Sequence, residues 1–171
     1  MKKIFLFAIL IGISYSLQAQ VYVGGSLGAW SKNVNDVKTN SINFYPEVGY
    51  SFPGNWHAGV VVGFGHTETG DIKDSEYEFT PYVGYTFYQH SIAALFVEGA
   101  FSYVHTKPHV GDALNGIKTG LHPGISVKLS DKLSMRAHFG FLGYQRHAEN
   151  NDEFGIRFNA EDLRFGFHYS F

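Results

Sequence analysis

The 171 residues carry 13 basic and 15 acidic side chains and no cysteine, which excludes a disulfide framework, a lipid-modified cysteine and thiolate metal sites. Aromatic residues at 17% and 20 glycines exceed ordinary globular usage. The slightly acidic balance leaves no basic footprint for nucleic acid.

Met1-Lys2-Lys3 is a short basic region, and Ile4 to Tyr15 is an uncharged apolar run. That run is too short to span a bilayer and is followed by Ser16-Leu17-Gln18-Ala19, so residues 1–19 are predicted to be a cleaved signal peptide. Leu17 is larger than the usual residue three places before such a cut. The mature domain, residues 20–171, then holds about 152 residues, enough for one domain. Loss of Lys2 and Lys3 brings its formal charge to about −4. No later run reaches the roughly 20 apolar residues of a membrane helix.

Eight segments of alternating polarity follow: Val21–Trp30, Ser41–Phe52, Asn55–His66, Glu76–Tyr88, Ser91–His105, Ile117–Leu129, Lys132–Gln145 and Ile156–Phe171. Strict alternation places successive side chains on opposite faces of a strand. Pro53-Gly54, Gln89-His90 and Ser130-Asp131 are predicted tight turns. Between them lie polar stretches of about ten residues each: Ser31–Asn40, Thr67–Ser75, Thr106–Gly116 and Arg146–Gly155. Tight turns on one side and longer loops on the other, with an even strand count, form an all-β, eight-stranded antiparallel up-and-down transmembrane β-barrel pattern.

A repeat marks the second, fourth, sixth and eighth segments. Pro46-Glu47-Val48-Gly49-Tyr50-Ser51-Phe52 matches Pro81-Tyr82-Val83-Gly84-Tyr85-Thr86-Phe87 closely; Pro123 to Leu129 is a looser copy, and Phe165 to Phe171 lacks only the proline. The repeat unit is a hairpin. Proline cannot donate to a sheet ladder, so the three prolines, all on the apolar face, are predicted to mark a shared bend or bulge. The last nine residues alternate large apolar with polar or small residues up to Phe171.

The faces separate membrane from water. Leu133, Met135, Ala137, Phe139 and Phe141, then Leu163, Phe165, Phe167, Tyr169 and Phe171, share the apolar phase. Ser134, Arg136, His138, Asp162, Arg164, His168 and Ser170 take the other, as do Glu47, His57, Glu78, Glu98, Lys118, His122 and Lys128 in their segments. Eight strands enclose only enough room for side chains. The charged phase therefore predicts a packed interior in which Glu47, Glu78 and Glu98 neutralise Lys118, Arg136 and Arg164. Histidines 57, 122, 138 and 168 share that interior, and His105, His109 and Asp112 cluster near a loop proline. Scattered imidazoles of this kind are mostly polar packing rather than metal ligands.

On these motifs the chain resembles the small eight-stranded outer-membrane β-barrel family of the OmpX/OmpA-barrel type. The Pro-x-Val-Gly-Tyr-Ser/Thr-Phe hairpin ends resemble the porin-like β-barrel proteins of Bacteroidetes. Unlike OmpA-type proteins, the chain is expected to carry no periplasmic peptidoglycan-binding domain after the last strand. The resemblance implies residence in the outer membrane of a Gram-negative cell, contact with its lipid and lipopolysaccharide, and insertion by the barrel-assembly machinery, which would read Phe167, Tyr169 and Phe171 as the assembly signal. His168-Tyr169-Ser170 resembles the His-x-Ser pair of outer-membrane lipid A deacylases. Both side chains lie on the inward phase at the turn end, however, with no third residue to orient a base. The expected role is non-enzymatic and cofactor-free, in envelope structure or surface interaction through four short extracellular loops, with an unidentified extracellular partner. A narrow porin-like channel for small solutes or ions is the alternative.

Overall fold

A computed structural model describes residues 20–34, 37–70, 72–109, 111–147, 151–157 and 164–171. The predicted signal peptide and residues 158–163 lie outside them. The strands are β1 (Gln20–Val34), β2 (Val37–Ser51), β3 (Trp56–Thr69), β4 (Ile72–His90), β5 (Ala93–Lys107), β6 (Leu114–Lys128), β7 (Leu133–His138), β8 (Phe141–His147), β9 (Asn151–Arg157) and β10 (Arg164–Ser170). Each of β1 to β6 pairs antiparallel with the next, and β7 and β8 lie in succession along β6. They are two stretches of one barrel strand. β9 pairs with β8, while β10 pairs with β7 on one side and with β1 on the other, Tyr22 opposite Ser170 and Gly25 opposite Phe167. The ring thus closes as an eight-stranded antiparallel barrel.

The core is inverted relative to a water-soluble protein. Side chains pointing outward include Phe44, Val48, Phe79, Val83, Phe101, Phe165 and Phe167, each roughly half exposed, whereas Glu78, Glu98, Arg136 and His168 are buried. Alternation along each strand makes this division, because neighbouring residues face opposite sides of the wall. An apolar outside and a polar inside suit lipid outside and packed side chains within.

At one end, called the turn end, the connections are tight. Phe52 N–H donates to the Trp56 carbonyl at 2.8 Å, and the turn between them needs left-handed backbone at Gly54 (φ 83°) and Asn55 (φ 69°). A girdle of rings surrounds this end: Trp56 lies 4.9 Å from Tyr85, Tyr50 4.8 Å from Phe52, and Tyr169 5.2 Å from Phe171. The predicted turn at Gln89-His90 is instead at Ser91-Ile92, where His90 pairs with Ala93. A register shift between Thr86 and Tyr88 absorbs an extra residue and carries β4 past the expected turn.

The opposite end differs more from the sequence reading. Three of the four stretches expected as loops are largely strand: β3 reaches Thr69 and β4 begins at Ile72, β1 reaches Val34 and β2 begins at Val37, and β8 reaches His147 and β9 begins at Asn151. Their polar residues pair across the ladder instead, Ser41 with Thr67 at 3.0 Å and Thr39 with Thr69 at 3.1 Å. Between Lys107 and Leu114 the described residues are irregular, as expected. Strands of 15 residues exceed the roughly 9–11 that cross a bilayer, so the hairpins project beyond the apolar belt, where neither face must be apolar. On one of them, hydrogen bonds from Lys73, 2.9 Å away, and then from His66 hold the Glu68 carboxyl below the ordinary carboxylate range.

The prolines act by removing rungs. Beside Pro46 the β2–β3 ladder skips from Phe44 to Glu47, and beside Pro81 the β4–β5 ladder skips from Phe79 to Tyr82, in both cases without a change of register. At Pro123 the bulge falls on the neighbouring strand: Ile125 is opposite Ala137, but Leu121 is opposite Leu142. One extra residue enters at Phe139-Gly140, where Phe139 N–H donates to the Pro123 carbonyl at 3.1 Å. That insertion flips the phase. Phe141, expected on the apolar outside, is buried in the lumen.

Candidate functional site

The densest polar cluster crosses the lumen as a single layer, to which every barrel strand contributes. Its first half centres on Glu98 of β5. Arg136 Nη2 of β7 donates to Glu98 Oε1 at 2.5 Å, His57 Nε2 of β3 lies 2.9 Å from the same oxygen, and His138 Nε2 of β7 lies 2.7 Å from Oε2. Arg136 Nη2 is also 3.0 Å from His57 Nε2. A guanidinium only donates, so an Nε2–H of His57 turned to Glu98 faces an arginine N–H across that gap.

Below this carboxylate, the guanidinium of Arg136 stacks 3.9 Å over the ring of Phe96, which is 1% exposed. His57 and His138 meet the same ring edge-on, at 5.8 and 5.3 Å between centroids. Phe96 in turn lies against Gly124 of β6, where a Cβ would run into the ring. A buried charge pair is tolerated when its remaining donors and acceptors are filled. Two imidazoles and an aromatic face fill them here.

The second half centres on Glu47 of β2. The hydroxyl of Tyr22 (β1) lies 2.6 Å from that of Tyr82 (β4), Tyr82 donates to Glu47 Oε1, and His168 Nε2 (β10) lies 3.0 Å from Oε2. The His168 ring stacks on Tyr22 at 5.0 Å between centroids, closing the circuit. The inward rings fit because glycines face them. Tyr22 covers Gly49, Tyr82 covers Gly59 and His57 covers Gly84, and in each case the ring occupies the space a Cβ would need. Much of the glycine in the composition is therefore seating for lumen rings.

Of the six charged residues expected to neutralise one another, Glu98 and Arg136 are in direct contact. Glu47 is held by Tyr82 and His168 rather than by an arginine or lysine. Glu78 Oε1 takes a 2.8 Å hydrogen bond from Thr80, and Lys118 lines the same cavity as Glu78, farther toward the projecting hairpins. Arg164 pairs through its backbone with His138, but its side chain lies outside the described residues. Phe167, Tyr169 and Phe171 point outward near the turn end, 55, 41 and 67% exposed. All four interior histidines line the lumen. His105 and His109 do not: His105 Nδ1 is 2.7 Å from Asn115 and the His109 N–H donates to Asp74 at 3.0 Å. Among the described residues, no three histidine, aspartate or glutamate side chains are grouped to hold a metal ion.

The lumen rings Tyr22, Tyr82 and Phe96 were missed in sequence because they occupy the polar phase. The signal that points to them is the spacing of Phe96 two residues before Glu98, and of Tyr82 one residue after Pro81.

No family model and no curated protein sequence matches the chain. Among solved structures, Neisserial surface protein A superposes over 90% of this chain and 96% of its own, with a TM-score of 0.55 at 14% identity. The fold is that of a small outer-membrane β-barrel. The translocator domain of the autotransporter NalP from Neisseria meningitidis also aligns, over 100% of this chain and 95% of its own, at 13% identity and a TM-score of 0.46.

Proposed function

We propose that the chain is an integral outer-membrane barrel of a Gram-negative cell, exported on residues 1–19, with a lumen closed by side chains and a role in envelope structure or surface interaction. The inverted faces carry this reading: half-exposed phenylalanines ring the outside while Glu98 and Arg136 are 5 and 7% exposed inside. In water the outer surface would be an apolar patch encircling the whole molecule, far beyond what a soluble monomer leaves uncovered.

In this reading the turn end faces the periplasm and the projecting hairpins face the exterior. The outward belt contacts outer-membrane lipid and, near the hairpins, lipopolysaccharide. Phe167, Tyr169 and Phe171 serve the barrel-assembly machinery during insertion. The projecting strand ends present polar surface to an extracellular partner.

Fractionation with a heat-modifiability gel tests the placement. Recovery in the outer-membrane fraction, with a mature end near Gln20 and a mobility that changes on boiling, is the expected result. Recovery of the intact folded chain in the soluble periplasm would overturn it.

A further inference from the structure

The Glu98 layer lies between two spaces in the lumen. Toward the hairpins is a cavity of about 170 Å³ whose lining includes Glu98, His138 and Tyr82. Toward the turn end is an open vestibule of about 420 Å³ whose lining includes His57, Phe96, Arg136 and His168. Opposite sides of one side-chain layer thus face separate spaces, each large enough for several water molecules.

We propose that this layer is an acid-operated gate, and that the barrel conducts small ions when His57 and His138 both carry a proton. The proposal deepens the membrane-spanning reading above and rests on it. With both imidazoles neutral, the Glu98 half is balanced, one carboxylate against one guanidinium. Imidazole is the side chain whose charge ordinarily changes between about pH 5 and 8. A proton on each ring sets three cations around a single carboxylate. The Nε2–H of His57 already turns to Glu98, so its added proton enters at Nδ1, and the ring then carries a full positive charge with Nε2 3.0 Å from Arg136 Nη2. That repulsion acts where little water can screen it.

The surrounding carboxylates lie farther from the added charge than Arg136 does. Glu47, the other carboxylate of the layer, is already held by Tyr82 and His168, and Tyr22 meets the layer through its hydroxyl on Tyr82. On the cavity side, His122 faces His138 ring to ring at 6.3 Å, and Lys118 shares the lining with Glu78. The added charge of the proposal therefore enters from β3 and β7, on either side of Arg136. Relief comes from Arg136 leaving its stacked position over Phe96, which joins the vestibule to the cavity. The opened path is lined by Arg136, the two imidazolium rings, Lys118 and Arg157 against Glu78 and Glu98, and that cationic excess favours small inorganic anions over cations.

The test is planar-bilayer recording of the purified full chain in potassium chloride at about pH 7.5 and about pH 5, with heat-modifiability and far-UV circular dichroism checked at both. Low conductance at the higher pH and an increase in open probability of about tenfold or more at the lower are expected, with a reversal potential on the anion side. The double variant His57→Gln/His138→Gln should lose the acid response, while His105→Gln, on the outer rim, should keep it. His138→Gln alone, at the more exposed edge of the cluster, should move activation to lower pH, and this variant decides the matter if the double variant does not insert. Conductance that ignores pH, an acid response surviving in the double variant, or an activation midpoint unmoved in His138→Gln would overturn the gate. A wild-type chain that fails to insert or to show heat-modifiability would instead count against the membrane-spanning reading.

Discussion

Arg136 and Glu98 are the pair whose separation should cost the most. Arg136→Met removes the guanidinium but leaves His57 and His138 within 2.9 and 2.7 Å of the carboxylate. Two donors remain, so the loss should sit near the low end of the range for breaking a buried pair, about 3 kcal/mol. Glu98→Gln is worse, because it strips the charge from the acceptor shared by an arginine and two histidines, and about 4–5 kcal/mol is expected. Independent sites would sum to about 7–8 kcal/mol in the double variant. A charge pair removed as a unit should cost far less than that sum, giving a coupling of about 3 kcal/mol or more. Urea unfolding from lipid vesicles at pH near 7.5, followed by tryptophan fluorescence and extrapolated linearly, measures all three. Additivity to within about 0.5 kcal/mol, or single changes that cost less than that, would refute the pairing.

Other perturbations separate the faces and the seats. Val48→Arg, on the outward face, should destabilise folding into vesicles by about 2–4 kcal/mol, whereas His138→Gln, 24% exposed in the lumen, should cost under about 1.5 kcal/mol; equal tolerance would show the faces are misassigned. Gly124→Ala should lower the unfolding midpoint because a Cβ there meets the Phe96 ring, and the further change Phe96→Leu should recover part of the loss; an unchanged midpoint in Gly124→Ala would contradict the seating. Phe171→Asp should reduce the amount of folded barrel in the membrane fraction of cells while leaving in vitro folding nearly intact, and normal cellular levels would remove Phe171 from assembly.

Alternation within each strand was legible in sequence because it is local: one residue decides which face the next will take. What lay across the sheet was not. Phe141 reads as an outward residue by counting from Phe139, yet the extra residue at Phe139-Gly140 is set by Pro123 on the neighbouring strand. Gly59 lies on an inward position whose space is taken by Tyr82 from the adjacent strand, which leaves no room for a Cβ. The partners of Glu47 were likewise hidden. Charge counting sought an arginine or lysine, while burial was met by a tyrosine and a histidine 35 and 121 residues away in sequence. Three of the four polar stretches read as loops in sequence because polarity on both faces suggests irregular backbone. A strand that projects beyond the apolar belt meets water on both faces, and the inference fails there.

The most direct test of an inverted, lipid-embedded barrel uses β5. With no native cysteine in the chain, single cysteines at positions 96 to 103 can carry a spin label without background. Accessibility to a lipid-soluble relaxant is then measured in vesicles, residue by residue. High values at 97, 99, 101 and 103 and low values at 96, 98, 100 and 102 are expected, in strict alternation. A flat profile, or one in which the even positions meet lipid, would contradict the barrel as described.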